Sequence, residues 1–105
     1  MPPFEFEWDP KKNRTNLRDH KIRFEEAVLI FDSVHFTQVD PRDYYDEQGN
    51  EEIRFLTIGS LGGGAVLVVC HTERHGKTRL ISARRAKPSE RRNYYAAFGG
   101  TSERN

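Results

Sequence analysis

Apolar positions along the 105-residue chain follow two periods, one typical of strands and one typical of helices. Three stretches have strand character: 51–61, 65–72 and 78–86. The glycine run 62–64 and the pair His75-Gly76 separate them and suit hairpin turns. These features predict an antiparallel meander. The middle strand should lie at its centre, because it is apolar on both faces.

The N-terminal region predicts one more strand and a helix. Phe4, Phe6 and Trp8 alternate with acidic residues, which is the pattern of a short strand with one buried face. Asp9-Pro10 is typical of a helix start. At this position Asp accepts hydrogen bonds from the free backbone amides of the first turn, and Pro lacks only a backbone N–H that would have no partner within the helix. The helix should reach about His20.

Two further helices and one loop complete the plan. Phe24, Ala27, Val28 and Phe31 have the i, i+3, i+4, i+7 spacing of an amphipathic helix. The segment 87–89 opens a C-terminal helix that carries Tyr94, Tyr95 and Phe98. The acidic, turn-rich segment 32–50 predicts a loop that could include a short strand near 36–39. The predicted class is α+β, with the order β-α-α-β-β-β-α. Residues 1–98 would form one domain and 99–105 a tail that frays.

Composition excludes several classes of protein. The length allows one small domain, and seven Phe, four Tyr and one Trp suffice for a compact core despite 31% charged residues. No apolar run approaches the roughly 20 residues that cross a bilayer, and the first eight residues lack the pattern of a secretory signal peptide. The lone Cys70 argues against a disulfide scaffold and a cysteine zinc site. We therefore expect a cytoplasmic protein with no cofactor.

The net charge of +1 hides strong segregation. Residues 11–23 hold six basic side chains against one acidic, whereas residues 40–52 hold six acidic against one basic. Residues 71–92 hold eight basic against two acidic. This distribution predicts one basic and one acidic face, and a basic face attracts polyanions. The alternative is that all three blocks are ordinary solvated surfaces.

Familiar catalytic motifs are missing. The glycine run is not followed by the Lys-Ser or Lys-Thr of a P-loop, nor by a helix, so it indicates a hairpin turn. His71 and His75 are four residues apart, but they lie at a strand end and in a turn, where this spacing does not put them on one face. No further ligand completes a metal set. A Gly-x-Ser-x-Gly elbow is also absent.

One constellation near the last hairpin could cleave RNA without a metal. Such cleavage needs a base to take the proton of a ribose 2′-hydroxyl, cations to stabilise the phosphate and an acid for the leaving oxygen. Arginine suits the phosphate because it binds two of its oxygens at once. The candidate catalytic residues are His71, Glu73, Arg79, Arg84 and Tyr94. The alternative is that Glu73 and Glu90 only form salt bridges with these arginines.

Six segments of the chain together resemble the sequence signature of the BrnT toxin family. They are FEWDPKKN (6–13), NLRDH (16–20), IRFEEA (22–27), VVCHTER (68–74), RLISARRA (79–86) and ERRNY (90–94). The resemblance covers roughly residues 4 to 95 and is weakest over 34–50.

The resemblance implies a type II toxin–antitoxin system. It implies a RelE-like fold, in which helices pack on a small antiparallel sheet, and a ribonuclease that arrests translation. The implied partner is a BrnA antitoxin with a ribbon-helix-helix domain, which binds DNA, so that the complex represses its own operon. A binding module that grips RNA or a protein without chemistry is the alternative function.

The resemblance also bears on single residues. It implies phosphate-binding arginines on the last strand, which here are Arg79, Arg84 and Arg85, and an aromatic or acid-base group near Tyr94. The choice of His71 and Glu73 as base comes from their chemistry rather than from the family. Further RNA contacts are predicted for Lys11, Lys77, Arg85 and Arg91.

Overall fold

The computed structural model of the protein describes residues 5–99. In chain order the elements are β1 (Phe6–Glu7), α1 (Pro10–His20), α2 (Phe24–Ala27) with the 3₁₀ helix Val28–Asp32, β2 (His35–Val39), β3 (Tyr44–Tyr45), β4 (Glu51–Glu52), β5 (Arg54–Gly62), β6 (Ala65–Arg74), β7 (Lys77–Arg85) and α3 (Pro88–Phe98). Gly99 ends α3 in the left-handed conformation. Phe4 of the predicted first strand and residues 100–105 of the predicted tail lie outside the described residues. No helix in the described part of the chain could span a membrane.

The main sheet has five strands in the order β1-β7-β6-β5-β2. The predicted meander is confirmed as β5, β6 and β7, and the short strand expected near 36–39 is β2. The expectation of an entirely antiparallel sheet is wrong, because β1 runs parallel to β7. Periodicity reveals which face of a strand is buried, but it carries no information on the direction in which distant strands pair.

Two predicted elements are divided in the structure. The strand expected over 51–61 is interrupted at Ile53: its first two residues form β4, which pairs with β3 in a separate two-stranded sheet. The helix expected over Phe24 to Phe31 has a single α turn and continues as a 3₁₀ helix. The predicted helix from Asp9-Pro10 to His20 is confirmed, with the Asp9 carboxylate accepting from the Lys11 amide at 2.8 Å.

Helices cover the two faces of the sheet unequally. On one face, α2 and the 3₁₀ helix bury Phe24, Ile30 and Phe31 against Leu67 and Leu80. A smaller cluster on the other face packs Tyr94 of α3 against the sheet residues Ile58, Val66 and Val68. We call this second face the open face, because α3 covers only the part of it around these residues.

Asn16 joins α1 to the edge of β7. Its side chain is 4% exposed. The Nδ2 group donates to the carbonyl oxygens of Ala83 at 2.9 Å and Ile22 at 3.0 Å, and Oδ1 accepts from the Ala83 amide at 2.9 Å. The side-chain amide of Asn16 thus forms hydrogen bonds with Ala83 as the backbone of a neighbouring strand would. It satisfies buried backbone groups in a part of β7 that lies beyond the end of β1.

Candidate functional site

The floor of the candidate site consists of side chains that alternate along β5, β6 and β7 onto the open face. Residues paired in register share a face, which gives three rows across the sheet. The rows are Arg54–Thr72–Arg79, Leu56–Cys70–Ser82 and Ile58–Val68–Arg84. Since α3 covers only the Ile58–Val68 end of the last row, the first two rows and Arg84 lie outside α3 and form a groove, at whose floor Thr72 and Cys70 are buried.

A cavity of about 340 Å³ lies in this groove. Three arginines line it: Arg42 from the segment between β2 and β3, Arg54 from β5 and Arg84 from β7. Tyr44, Leu56 and Cys70 contribute an aromatic ring, an apolar floor and a thiol. Burial raises the pKa of the Cys70 thiol, which keeps it protonated and poorly nucleophilic at neutral pH. The cavity therefore presents guanidinium groups above an apolar floor, which suits the phosphate of a nucleotide.

Carboxylates hold all three cavity arginines in place, and two of these pairs are bidentate. The Arg84 guanidinium donates to both oxygens of Glu90, at 2.8 and 2.9 Å, and this arginine lowers the pKa of Glu90 to about 2. Arg42 donates to the Asp40 carboxylate at 2.7 and 3.0 Å and holds its pKa well below the usual range. Bidentate pairing of this kind restricts the guanidinium orientation before any ligand arrives.

Tyr44 links the cavity arginines. Its hydroxyl donates to the buried Asp40 carboxylate at 2.8 Å, and the Arg54 guanidinium lies over its ring at 3.9 Å from the centroid. Burial and the Asp40 hydrogen bond raise the pKa of Tyr44, so the phenol stays neutral. Arg54 also donates to Glu52 at 2.9 Å.

Arg79 lies on the same face, farther from α3. It lines an adjoining cavity of about 200 Å³ together with Arg54, Arg74 and Lys12. Its guanidinium donates to Glu7 of the neighbouring strand at 3.1 Å. The structure thus brings the predicted phosphate ligands Arg79 and Arg84 to one face of the sheet.

His71 and Glu73 lie on the opposite face. His71 is 5% exposed, with its ring against Phe31 and stacked on Phe55, and its Nε2 is 2.7 Å from the Thr57 hydroxyl oxygen. Glu73 accepts from the Thr78 hydroxyl at 3.2 Å. The sequence predicts His71 and Glu73 close to Arg79, because all three are near the last hairpin. Side chains alternate between the faces of a strand, however, and the residue paired with Arg79 is Thr72, which lies between His71 and Glu73 in the sequence.

Tyr94 and Arg91 make intramolecular contacts. The Tyr94 hydroxyl donates to the Val34 carbonyl at 2.7 Å, and its ring belongs to the buried cluster under α3. Burial raises its pKa. Arg91 donates to the Gly64 carbonyl at 2.8 Å and lies over the ring of Tyr95. Both residues stabilise the α3 side of the groove.

The other predicted RNA contacts lie apart from one another. Lys11 lines a cavity of about 430 Å³ beside α1 that shares Ile81 and Ser82 with the arginine cavity. Lys77 pairs in register with Arg74 at the hairpin end. Arg85 is the partner of the buried Leu67, which faces α2, so the register places Arg85 on the face opposite Arg84. Sequence reasoning missed Arg42, Tyr44 and Arg54. Only Arg54 had a signal, namely its alternation with Leu56 along a strand.

A larger cavity of about 670 Å³ lies beyond β4. Its charged side chains are mostly acidic: Asp46, Glu47, Glu51, Glu52 and Glu73, with Arg74 among them. This surface would repel phosphate, so the smaller arginine-lined groove is the better candidate for a polyanion. In the described part of the chain, no group of three or more His, Cys, Asp or Glu side chains is arranged to hold a metal ion.

The burial of His71 predicts a pH-dependent stability. Loss of hydration, and secondarily the nearby His35, lower the pKa of His71 to about 4, against about 6.5 in the unfolded chain. Between these values the unfolded state binds more protons, so stability is complete above pH ~6.5 and falls as the pH drops toward ~4, by about 3 kcal/mol. Urea unfolding at pH 7 and pH 4.5 measures this loss.

Two variants separate this histidine from the other titrating groups. In His71→Phe the loss between pH 6.5 and 4.5 should largely disappear, whereas the exposed-turn variant His75→Asn should keep it. The pKa values of Asp40 and Glu90 are lowered from near 4, so their contributions are lost only at lower pH. An unchanged pH dependence in His71→Phe would contradict the assignment.

Comparison with known proteins identifies the family of the chain and a solved structure with a related fold. The family model described as "Ribonuclease toxin, BrnT, of type II toxin-antitoxin system" matches residues 8–90. Among solved structures, the Brucella abortus ribonuclease toxin BrnT is similar, with a TM-score of 0.55 and 21% sequence identity, over 80% of this chain and 97% of that one. At that identity the likeness concerns the fold. No curated protein matches the chain.

Proposed function

This chain belongs to the BrnT family of ribonuclease toxins of type II toxin–antitoxin systems, and on that premise we propose that it cleaves RNA in the arginine-lined groove of the open face. The observation that carries the proposal is the convergence of Arg42, Arg54 and Arg84 on one cavity. Each arginine comes from a different part of the chain, and the Tyr44 ring lies among them. A strand of RNA offers both phosphates for the arginines and bases that stack on guanidinium planes such as that of Arg54.

The proposed reaction is attack of a ribose 2′-hydroxyl on the adjacent phosphorus. The 2′-oxygen loses its proton and bonds to phosphorus, the bond to the 5′-oxygen breaks, and that oxygen gains a proton. Negative charge gathers on the phosphate oxygens in between, and Arg84 and Arg42 would stabilise it. For the proton transfers the open face offers the carboxylates of Glu7 and Glu52, beside Arg79 and Arg54. One of them would take the 2′-proton and, then a neutral acid, give a proton to the leaving 5′-oxygen.

Product analysis with chelator present tests this reaction. Purified protein with EDTA should yield 2′,3′-cyclic phosphate and 5′-hydroxyl ends, and a single 2′-deoxy substitution should block cleavage at that nucleotide. Cleavage that stops with EDTA would contradict the metal-independent reaction. RNA that binds with a steep salt dependence but stays intact would favour the binding-module alternative.

The variant His71→Gln decides whether His71 is the base, as the sequence suggested. The proposal places the reaction on the other face of the sheet, so a folded His71→Gln protein should keep its cleavage rate within a few-fold. A variant that folds but does not cleave RNA would indicate that His71 is the base. Circular dichroism and the unfolding midpoint establish that the variant is folded.

We further propose that the protein acts in the cytoplasm and is neutralised by a BrnA-type ribbon-helix-helix antitoxin, through which alone the complex would contact DNA. Acidic or apolar antitoxin segments would cover the groove, because its arginines attract carboxylates as well as phosphates. Hydrogen exchange of the complex should show protection in β7 and around Arg42 and Tyr44. Protection confined to the acidic cavity beyond β4 would contradict this mode of inhibition.

A further inference from the structure

The two edges of the main sheet differ in whether other parts of the chain cover them. At one edge β1 has only two residues, and beyond it the side chain of Asn16 and helix α1 occupy the edge of β7. At the other edge β2 has five residues, and no described strand lies beyond it. Short or covered edges prevent pairing with other chains, whereas a long uncovered edge invites it.

The sequence of β2 has none of the features that normally block an edge strand. His35-Phe36-Thr37-Gln38-Val39 contains no Lys, Arg, Asp, Glu, Pro or Gly, in a chain with 31% charged residues. Thr37, Gln38 and Val39 are all exposed. The strand is therefore an available template for another strand.

Exposed apolar side chains gather around the same edge. Four of the six large apolar residues exposed among residues 5–99 border β2: Val34, Val39, Ile53 and Phe98. Val34 and Val39 lie at the two ends of the strand, and they are 57% and 58% exposed. Phe98 contacts Phe36 with ring centroids 6.0 Å apart, and Ile53 comes just before β5, where the β2–β5 ladder ends. Apolar surface of this kind next to an open edge indicates an interface.

From these observations we propose that β2 pairs with β2 of a second copy of this chain, so that two five-stranded sheets join across a two-fold axis. Antiparallel pairing centred on Thr37 sets Thr37 against Thr37, Phe36 against Gln38 and His35 against Val39. The pairing brings no like charges together. Because the axis is two-fold, the same surface of each copy forms the interface. An anionic partner would find its complement on the open face instead, because β2 carries no positive side chain.

Charge-swap variants at Gln38 test this dimer. In the proposed register the two Gln38 side chains lie on one face as diagonal neighbours, about 7–8 Å apart. Gln38→Lys and Gln38→Glu should each weaken self-association at least about fivefold at low salt, and an equal mixture of the two should restore it. The same change made elsewhere, Gln48→Lys in the exposed β3–β4 turn, should leave association at the wild-type level.

Sedimentation velocity over a concentration series measures the outcome. A concentration-dependent dimer that is lost in each Gln38 variant and recovered in the mixture supports the proposal. A wild-type chain that stays monomeric up to its solubility limit overturns it. So does a dimer that both Gln38 variants retain, since it would use another surface. These readouts do not involve RNA, so they are independent of the proposed function.

Discussion

Replacing Arg84 with alanine should lower the rate of RNA cleavage by about 10²–10³-fold, which is the usual cost of removing one donor from a site that stabilises developing charge. Arg84 lines the arginine cavity, and both of its terminal nitrogens are oriented by Glu90. In Arg84→Lys the charge remains but the bidentate geometry is lost. The cleavage rate of this variant should therefore lie between the rates of the alanine variant and the wild type. Single-turnover cleavage of a defined oligoribonucleotide measures all three rates.

The neighbouring arginine provides a matched control. Arg85 follows Arg84 in β7 but its register places it on the opposite face, so Arg85→Ala should cleave within a few-fold of wild type. Loss of Arg84 should leave α3 intact, because Glu90 still accepts from the Lys87 amide at 2.8 Å. Equal rates for Arg84→Ala and Arg85→Ala would contradict the assignment of the groove.

Replacing Asn16 with alanine should destabilise the protein by about 3 kcal/mol or more. The change removes three hydrogen bonds and leaves buried backbone groups of Ala83 and Ile22 without partners, at about 1–3 kcal/mol for each unsatisfied group. Asn16→Asp should be no better, because a carboxylate cannot donate to the two carbonyl oxygens. Urea unfolding, followed by the fluorescence of Trp8, measures the free energy of unfolding.

An asparagine in an exposed turn is the control for Asn16. The Asn50 side chain makes one long contact of 3.4 Å with Asp46, so Asn50→Ala should change the free energy of unfolding by less than about 1 kcal/mol. If Asn16→Ala were equally mild, water or a shift of α1 would have to satisfy Ala83, and the side chain would not be what joins α1 to β7.

Much of the fold follows from local signals. The helix start at Asp9-Pro10 and the turns at 62–64 and His75-Gly76 rest on interactions within a few residues, and the structure confirms them. The parallel pairing of β1 with β7 joins residues about 70 positions apart, where periodicity has no influence. The hairpin of β3 and β4 lies in a segment of acidic and turn residues, and it depends on contacts of Tyr44 with Asp40 and Arg54 that no local pattern reveals.

The site was predictable only in part, because the distance between two residues along a hairpin does not specify the face of the sheet on which each side chain lies. Arg79 and Arg84 reach the open face by the alternation of β7, together with a bulge: Cys70 pairs with Ser82 and His71 with Leu80, which leaves Ile81 as an extra residue. His71 has the chemistry of a base, but it is two residues from the buried Val69 on the same strand and therefore shares its face. Arg42 enters the groove from a loop, and only the folded chain shows this.

The most direct measurement is NMR mapping of RNA on the folded protein. A 2′-O-methyl oligoribonucleotide lacks the attacking hydroxyl, so it should bind without being cleaved. The groove predicts that amide shift changes concentrate at Tyr44, Leu56, Cys70 and Ser82 and disappear in Arg84→Ala. Shift changes centred on α2 and the 3₁₀ helix, near the face that carries His71, would contradict the location of the RNA site.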